Sequence, residues 1–257
     1  MRLSHASAFA VLALGVAASA PAQFSKPSAA QQLQLGKQAA RELRSKERVL
    51  PAGDPRVEVV RRVGRRLLAA MADRTSPWEY SFDVIDSNQI NAFALPGGPT
   101  FVYTGLLSHL KSEDELAGVM GHELTHVRKE HWAYAYRDQQ RNNALLTLGA
   151  LVFRPSRGVL DAAGLGSTLL LDLPFSRRHE TEADQGGMDL MVRAGYNPQG
   201  MVDVFQMLNE TSKGGRPPEF LSDHPSDSKR IRRMQEQANS MNRNFAPQRP
   251  LYFRNGG

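Results

Sequence analysis

The sequence contains no cysteine in its 257 residues. This excludes disulfides, cysteine-ligated metal sites and lipid attachment through a cysteine thiol. It also lacks any long uninterrupted apolar run. The run Ala8–Val16 is too short to span a bilayer, and the stretch 145–171 is broken by Arg154, Pro155, Arg157 and Asp161. That second stretch reads as a pair of short buried helices or as a segment that touches a membrane surface. There is no internal repeat and no low-complexity block. Neither sign of charge dominates: 32 Lys and Arg stand against 26 Asp and Glu, a net charge of +6. The basic residues are scattered in short clusters such as Arg61-Arg62 and Arg65-Arg66, without a nucleic-acid-binding signature, so they read as solvated helix faces.

The N-terminus carries the marks of export. Met1-Arg2 is a short basic start, Ala8–Val16 a charge-free apolar stretch, and Ala20-Pro21-Ala22 a small-residue cleavage site. The expected organisation is therefore a signal peptide over 1–22, one catalytic domain over 23–245 and a tail over 246–257. The location this implies is periplasmic, with membrane association if the leader is retained. A protein exported without disulfides depends on its core and on any bound metal.

Within the domain, Gln31–Arg48 reads as a polar helix. Asp54-Pro55 is a helix start, an N-cap followed by proline at the first helical position, and Val57, Val60, Val63, Leu67 and Met71 follow at helical spacing. Trp78, Tyr80, Phe82 and Val84 alternate as in a half-buried strand. Asn91–Leu95 and Thr100–Tyr103 read as two strands around Pro96-Gly97-Gly98-Pro99. Ser112 and Glu115 form a capping-box pattern that opens a helix running to about Trp132. Further helices are expected over 180–194, 198–209 and 226–237.

The chemistry sits on the helix opened by Ser112. In His122-Glu123-Leu124-Thr125-His126 the two histidines are four residues apart and share a helix face, so both imidazoles can bind one ion. Glu123 lies beside them, placed as a general base rather than a ligand. A catalytic zinc takes three protein ligands and keeps one position open, and no His-x-x-Gly-x-x-His continuation supplies the third. The segment Arg178-His179-Glu180-Thr181-Glu182-Ala183-Asp184 is the best source. Glu180 and Asp184 share a face, which suggests Glu180 as ligand and Asp184 as the partner that orients a ligating histidine. Glu182 is the alternative ligand, but it lies about 200° round the helix from Glu180. His179 is a weaker candidate. His131 lies about 140° from His126 on the helical wheel and cannot share its metal, so it reads as a structural residue.

Several segments together resemble the metallopeptidase family that includes the CAAX prenyl proteases, the HtpX-like proteases and the periplasmic BepA and LoiP proteins. They are Asn91-Ala92-Phe93-Ala94-Leu95-Pro96-Gly97-Gly98, Gly121–His126 with His131 beyond, Ser176–Asp184, Ala194-Gly195-Tyr196-Asn197-Pro198, and Ser222-Asp223-His224-Pro225 with Arg230. The resemblance covers roughly residues 30–240 and is nearest to the short periplasmic members. It lacks the several membrane helices of the embedded members and the C-terminal tetratricopeptide domain of BepA-like proteins.

It implies an α+β, mainly helical fold: a zincin-like domain with a small β-sheet next to the active-site helix. It also implies a one-zinc gluzincin site of His122, His126 and Glu180. Zinc would polarise the scissile carbonyl and acidify water, and Glu123 would move the proton to the leaving amine. Arg230 and His224 are the candidate oxyanion donors. The late His-Pro motif also implies that His224 can plug the metal. Residues 91–95 could pair with an extended substrate as an edge strand does. The expected function is a zinc metalloendopeptidase of the cell envelope acting on unfolded, misfolded exported or outer-membrane polypeptides, with no nucleic-acid partner. The alternative is a non-catalytic chaperone on the same fold, which would have no need of Glu123.

Overall fold

The computed structural model describes residues 24–71, 75–153, 175–213, 217–241 and 244–252, with only the backbone described over 144–153. The expected signal peptide, most of the 145–171 stretch and the last residues of the tail lie outside them. Among the described residues, no helix is long and apolar enough to cross a membrane.

The order begins with α1 (Ala29–Lys46), α2 (Pro55–Ala69), β1 (Ser81–Ile85), β2 (Ala92–Ala94) and β3 (Pro99–Tyr103). Next come α3 (Thr104–His109), α4 (Glu113–Arg128), α5 (His131–Phe153), α6 (Arg177–Arg193), α7 (Gln199–Ser212), α8 (Glu219–Asp223) and α9 (Ser228–Ser240). The fold is mainly helical α+β, with one small mixed sheet of order β1-β3-β2. β1 runs parallel to β3, and β2 is antiparallel to it in the register Phe93 opposite Phe101.

Helix starts follow local chemistry. α1 begins two residues earlier than expected because Ser28 and Gln31 form a reciprocal capping box. At α2 the Asp54 carboxylate accepts from the Arg56 N–H at 2.9 Å, and Val57, Val60, Val63 and Leu67 are fully buried. At α4 the box is half made: Ser112 Oγ accepts from Glu115 N–H, while the Glu115 carboxylate accepts from Lys111 N–H instead.

The strand expected from Trp78 begins only at Ser81, and it is covered on both faces rather than one. Phe82 and Val84 join the main core with α2 and α4, whereas Ile85 packs with Phe93, Phe101 and Tyr103 under Ala39 and Ala40 of α1. The polar residue on that second face, Asp83, accepts from Arg44 of α1 and lies within ion-pair range of Arg61 of α2. The β2–β3 turn uses Gly97 at φ 84° and Gly98 at φ 122°, a region that glycine enters without a steric cost.

α4 is the axis of the molecule, buried from Asp114 to Val127. It does not run to Trp132. It stops at Arg128, Glu130 takes a left-handed φ of 55°, and α5 starts afresh at His131. Glu130 is held by Lys26 and by Gln32, whose Nε2 donates to it at 2.8 Å. At the other end of α4, the Asp114 carboxylate accepts from the N–H groups of Asn197 (2.6 Å) and Arg249 (2.7 Å). Leu251 N–H donates to Lys111 C=O at 3.0 Å, so residues 249–251 lie along the start of this helix.

Candidate metal centre

α4 and α6 cross at Gly121 and Gly187, where a Cβ on Gly187 would stand 2.7 Å from the backbone nitrogen of His122. That close approach lays the 180–184 turn of α6 against His122 and His126. His224 arrives from the C-cap of α8, where its N–H donates to Phe220 C=O at 2.9 Å.

His122, His126, Glu180 and His224 each offer one ligand atom within 4.8 Å of the others, and all four residues are buried. His122 Nε2 lies 3.0 Å from His126 Nε2 and 3.2 Å from His224 Nδ1. Glu180 Oε1 stands 3.4 Å from His126 Nε2 and 3.1 Å from His224 Nδ1. Four donors held tetrahedrally around one ion at zinc-type bond lengths stand about 3.3 Å apart, so the spacing matches ligands sharing an ion.

Proton placement agrees. His122 Nδ1 is 3.0 Å from Asp184 Oδ1, so its proton belongs there and its Nε2 faces the cluster as a lone pair. His126 Nδ1 faces His131 Nδ1 at 3.0 Å, and His131 Nε2 faces Glu182 Oε2 at 3.2 Å. With the His131 proton on the carboxylate side, His126 must donate through Nδ1, and its Nε2 is also bare. Two bare imidazole nitrogens 3.0 Å apart in a buried pocket call for a cation between them. The residues therefore suit a metal ion.

Charge follows the same pattern. Burial pushes the Glu180 carboxyl up, but His224, His126 and His122 pull it far below the usual carboxylate range. Burial raises Glu123, against the pull of His224 and His122. Burial alone would lower His224, yet Glu180 and Glu123 raise it to about 9.

Glu123 Oε2 accepts from the Ala94 N–H at 3.0 Å, and its Oε1 stands 3.3 Å from His224 Nε2. His224 thus lies between the ligand cluster and Glu123. Phe175 stacks on it at 5.5 Å and also contacts the ring of His126 at 4.1 Å. Phe220 packs against His224 and Phe205 against His122.

Arg230 lies against the carboxylates of α6. Its Nε and Nη2 donate to the two oxygens of Asp184 at 2.8 and 2.7 Å. Its Nη1 is 2.7 Å from Glu180 Oε2 and donates to Pro225 C=O at 2.9 Å. Each nitrogen of this buried guanidinium has a partner, and two of them hold Asp184. Glu182 is outside the cluster, paired with Arg178 and His131, and His179 stacks on His131 at 4.5 Å. The contact of His131 with His126 escapes sequence reasoning, because the helix break that turns it toward His126 occurs at Lys129-Glu130, where neither glycine nor proline marks it.

The sequence matches the family described as Peptidase family M48 over residues 55–238. The beta-barrel assembly-enhancing protease of Escherichia coli K12 is 32% identical over 223 residues, covering 83% of this chain and 45% of that protein. The mitochondrial metalloendopeptidase OMA1 of Schizosaccharomyces pombe is 35% identical over 195 residues, covering 74% of this chain and 55% of that one. The OMA1 of Arabidopsis thaliana is 37% identical over 163 residues, covering 63% and 32%. The chain spans about half the length, or less, of these curated relatives.

Proposed function

The chain belongs to peptidase family M48, and from that premise we propose that it is a zinc-dependent metalloendopeptidase of the bacterial cell envelope. The observation that carries this reading is the buried convergence of His122, His126 and Glu180 with Glu123 beside them. His122 and His126 would hold the ion through Nε2 and Glu180 through its carboxylate. Zinc there would supply Lewis acidity toward a peptide carbonyl and toward water.

Glu123 is the general base. Burial pushes its carboxyl up from the ordinary value, which makes it a better proton acceptor, and the Ala94 N–H fixes one oxygen while the other faces His224. Asp184 orients His122, and Arg230 fastens Asp184 to Glu180. β2 is an edge strand beside Glu123, so residues 91–95 can add an extended polypeptide by main-chain pairing. Such pairing favours unfolded segments over a defined sequence.

His224 is the plug of a latent enzyme. Its Nδ1 lies 3.2 Å from His122 Nε2 and 3.1 Å from Glu180 Oε1, where it would serve as a further donor to an ion, and its Nε2 lies 3.3 Å from Glu123 Oε1, where it would keep substrate and water from the base. The substrates are misfolded exported or outer-membrane proteins, and the location is the periplasm. The leader-like residues 1–22 and the name of the Escherichia coli relative, which ties that protein to β-barrel assembly, support this. The alternative of a non-catalytic chaperone leaves the general base beside the cluster without a purpose.

The deciding experiment incubates the exported form with an unfolded protein, with and without chelator, beside Glu123→Gln. Cleavage that chelator abolishes, zinc restores and Glu123→Gln lacks while still holding zinc is the expected result. Equal binding without cleavage by both proteins would favour the chaperone.

A further inference from the structure

The pair His131 and Glu182 has no task in the proposed reaction, yet the fold takes trouble to bring it to the cluster. On a continuous helix His131 would point about 140° away from His126. Instead the chain breaks at Glu130 in a left-handed conformation, which is uncommon for a residue with a side chain, and His131 opens α5 with its ring against His126. Three further contacts set the geometry. His179 stacks on the His131 ring at an interplanar angle of 14°. Arg178 Nε donates to Glu182 Oε1 at 2.8 Å, which turns the other oxygen toward His131. His131 itself is buried.

We propose that His131 and Glu182 are positioning residues that fix His126 in its metal-binding tautomer. Glu182 Oε2 accepts from His131 Nε2–H, and His131 Nδ1 accepts from His126 Nδ1–H. The lone pair on His126 Nε2 is then left facing the cluster. A carboxylate can only accept, so the direction of the whole chain of hydrogen bonds is set at its outer end. The opposite tautomer of His126 would present an N–H to the ion site and leave His131 Nδ1 with no donor in a buried place. The arrangement mirrors Asp184 on His122, with one difference: for His126 the carboxylate acts through an intervening imidazole. Two carboxylates of one helix, Glu182 and Asp184, thus orient the two histidines of another. The inference rests on the reading of His126 as a metal ligand.

The test measures zinc affinity of the full chain by chelator competition, together with nitrogen NMR of labelled histidines in the zinc-free and zinc-loaded protein. His131→Phe, which keeps the ring volume but removes the acceptor, is expected to weaken zinc binding by about ten- to a hundredfold. Glu182→Ala is expected to weaken it less, because its site is partly open and water can replace the carboxylate. Glu182→Gln keeps an acceptor oxygen and should weaken it least. In the wild type His126 should carry its proton on Nδ1 before zinc is added; in His131→Phe the two tautomers should mix.

Wild-type affinity and an unchanged His126 tautomer in both His131→Phe and Glu182→Ala would overturn the proposal. Should His131→Phe not fold, the ordering of Glu182→Ala below Glu182→Gln decides the matter, since that side chain is 32% exposed on a helix surface. His126→Ala separates the two ideas. If it binds zinc as the wild type does, the ligand assignment is wrong and the positioning role goes with it. If it loses zinc while the His131 and Glu182 variants keep theirs, the positioning role alone is wrong.

Discussion

In the proposed function a single histidine, His224, would decide whether the site is open. His224 is buried against Phe175 and Phe220 and touches both a proposed ligand, Glu180, and the proposed base, Glu123. A plug and an oxyanion donor predict opposite mutants. With zinc content checked, His224→Ala should raise the basal rate on an unfolded substrate; a fall of about a hundredfold or more would identify a donor to the transition state instead. The third ligand is decided in the same way. Glu180→Gln should lose most of the bound zinc and Glu182→Gln should keep one ion, read by metal analysis after dialysis. The sharing of a face by His122 and His126, and by Glu180 and Asp184, was legible in the sequence because a spacing of four on a helix is local geometry. Arg230 was visible as a residue but not in its use. Only tertiary packing brings its nitrogens to Asp184, Glu180 and a backbone carbonyl.

Between helices, the precision of the site depends on how closely α4 and α6 approach. A methyl group on Gly187 would stand 2.7 Å from His122 N and 2.8 Å from Gly121 C, backbone atoms that cannot swing aside. Gly187→Ala should therefore push α6 outward, cost about 1–3 kcal/mol of stability and loosen zinc by displacing Glu180. Denaturant melts and chelator competition measure the two effects. Gly53→Ala is the control, because a Cβ there meets nothing within 4 Å. The break between α4 and α5 makes a second case. Glu130→Val puts a β-branched residue at φ 55° and loses the contacts to Lys26 and Gln32, so it should destabilise by about 1–3 kcal/mol. Glu130→Gly loses the same contacts but relieves the backbone, and should cost less. That break could not be read from the sequence, since Lys129 and Glu130 are ordinary helix residues. β1 was legible as an alternating strand, but its second covered face was not, because α1 comes from a distant part of the chain to cover it.

On the scale of the whole molecule, the candidate metal site stands where a protein without disulfides has most to lose. α4 is the buried axis, and around its motif the chain gathers α6, α8 and the first residue of α5 onto one cluster of histidines and carboxylates. Without an ion, the Nε2 atoms of His122 and His126 face each other at 3.0 Å in a buried place, and only Glu180 and His224 attract one another across the cluster. With an ion, the same groups become a crosslink between segments as far apart in sequence as His122 and His224. Binding to the native state alone stabilises it by mass action. Free zinc at a thousand times its dissociation constant adds about 4 kcal/mol. For a domain of this size, about 1 kcal/mol moves the melting temperature by about 2–4 °C. Removing zinc with chelator should therefore lower the melting temperature by about 8–16 °C, and adding zinc back should restore it. Reductant should change nothing, since there is no disulfide to break. His126→Ala should melt at one temperature with or without chelator, near that of the zinc-free wild type. A chelator-sensitive melt in that variant, equal to the wild-type shift, would mean that the stabilising ion sits elsewhere than between α4 and α6.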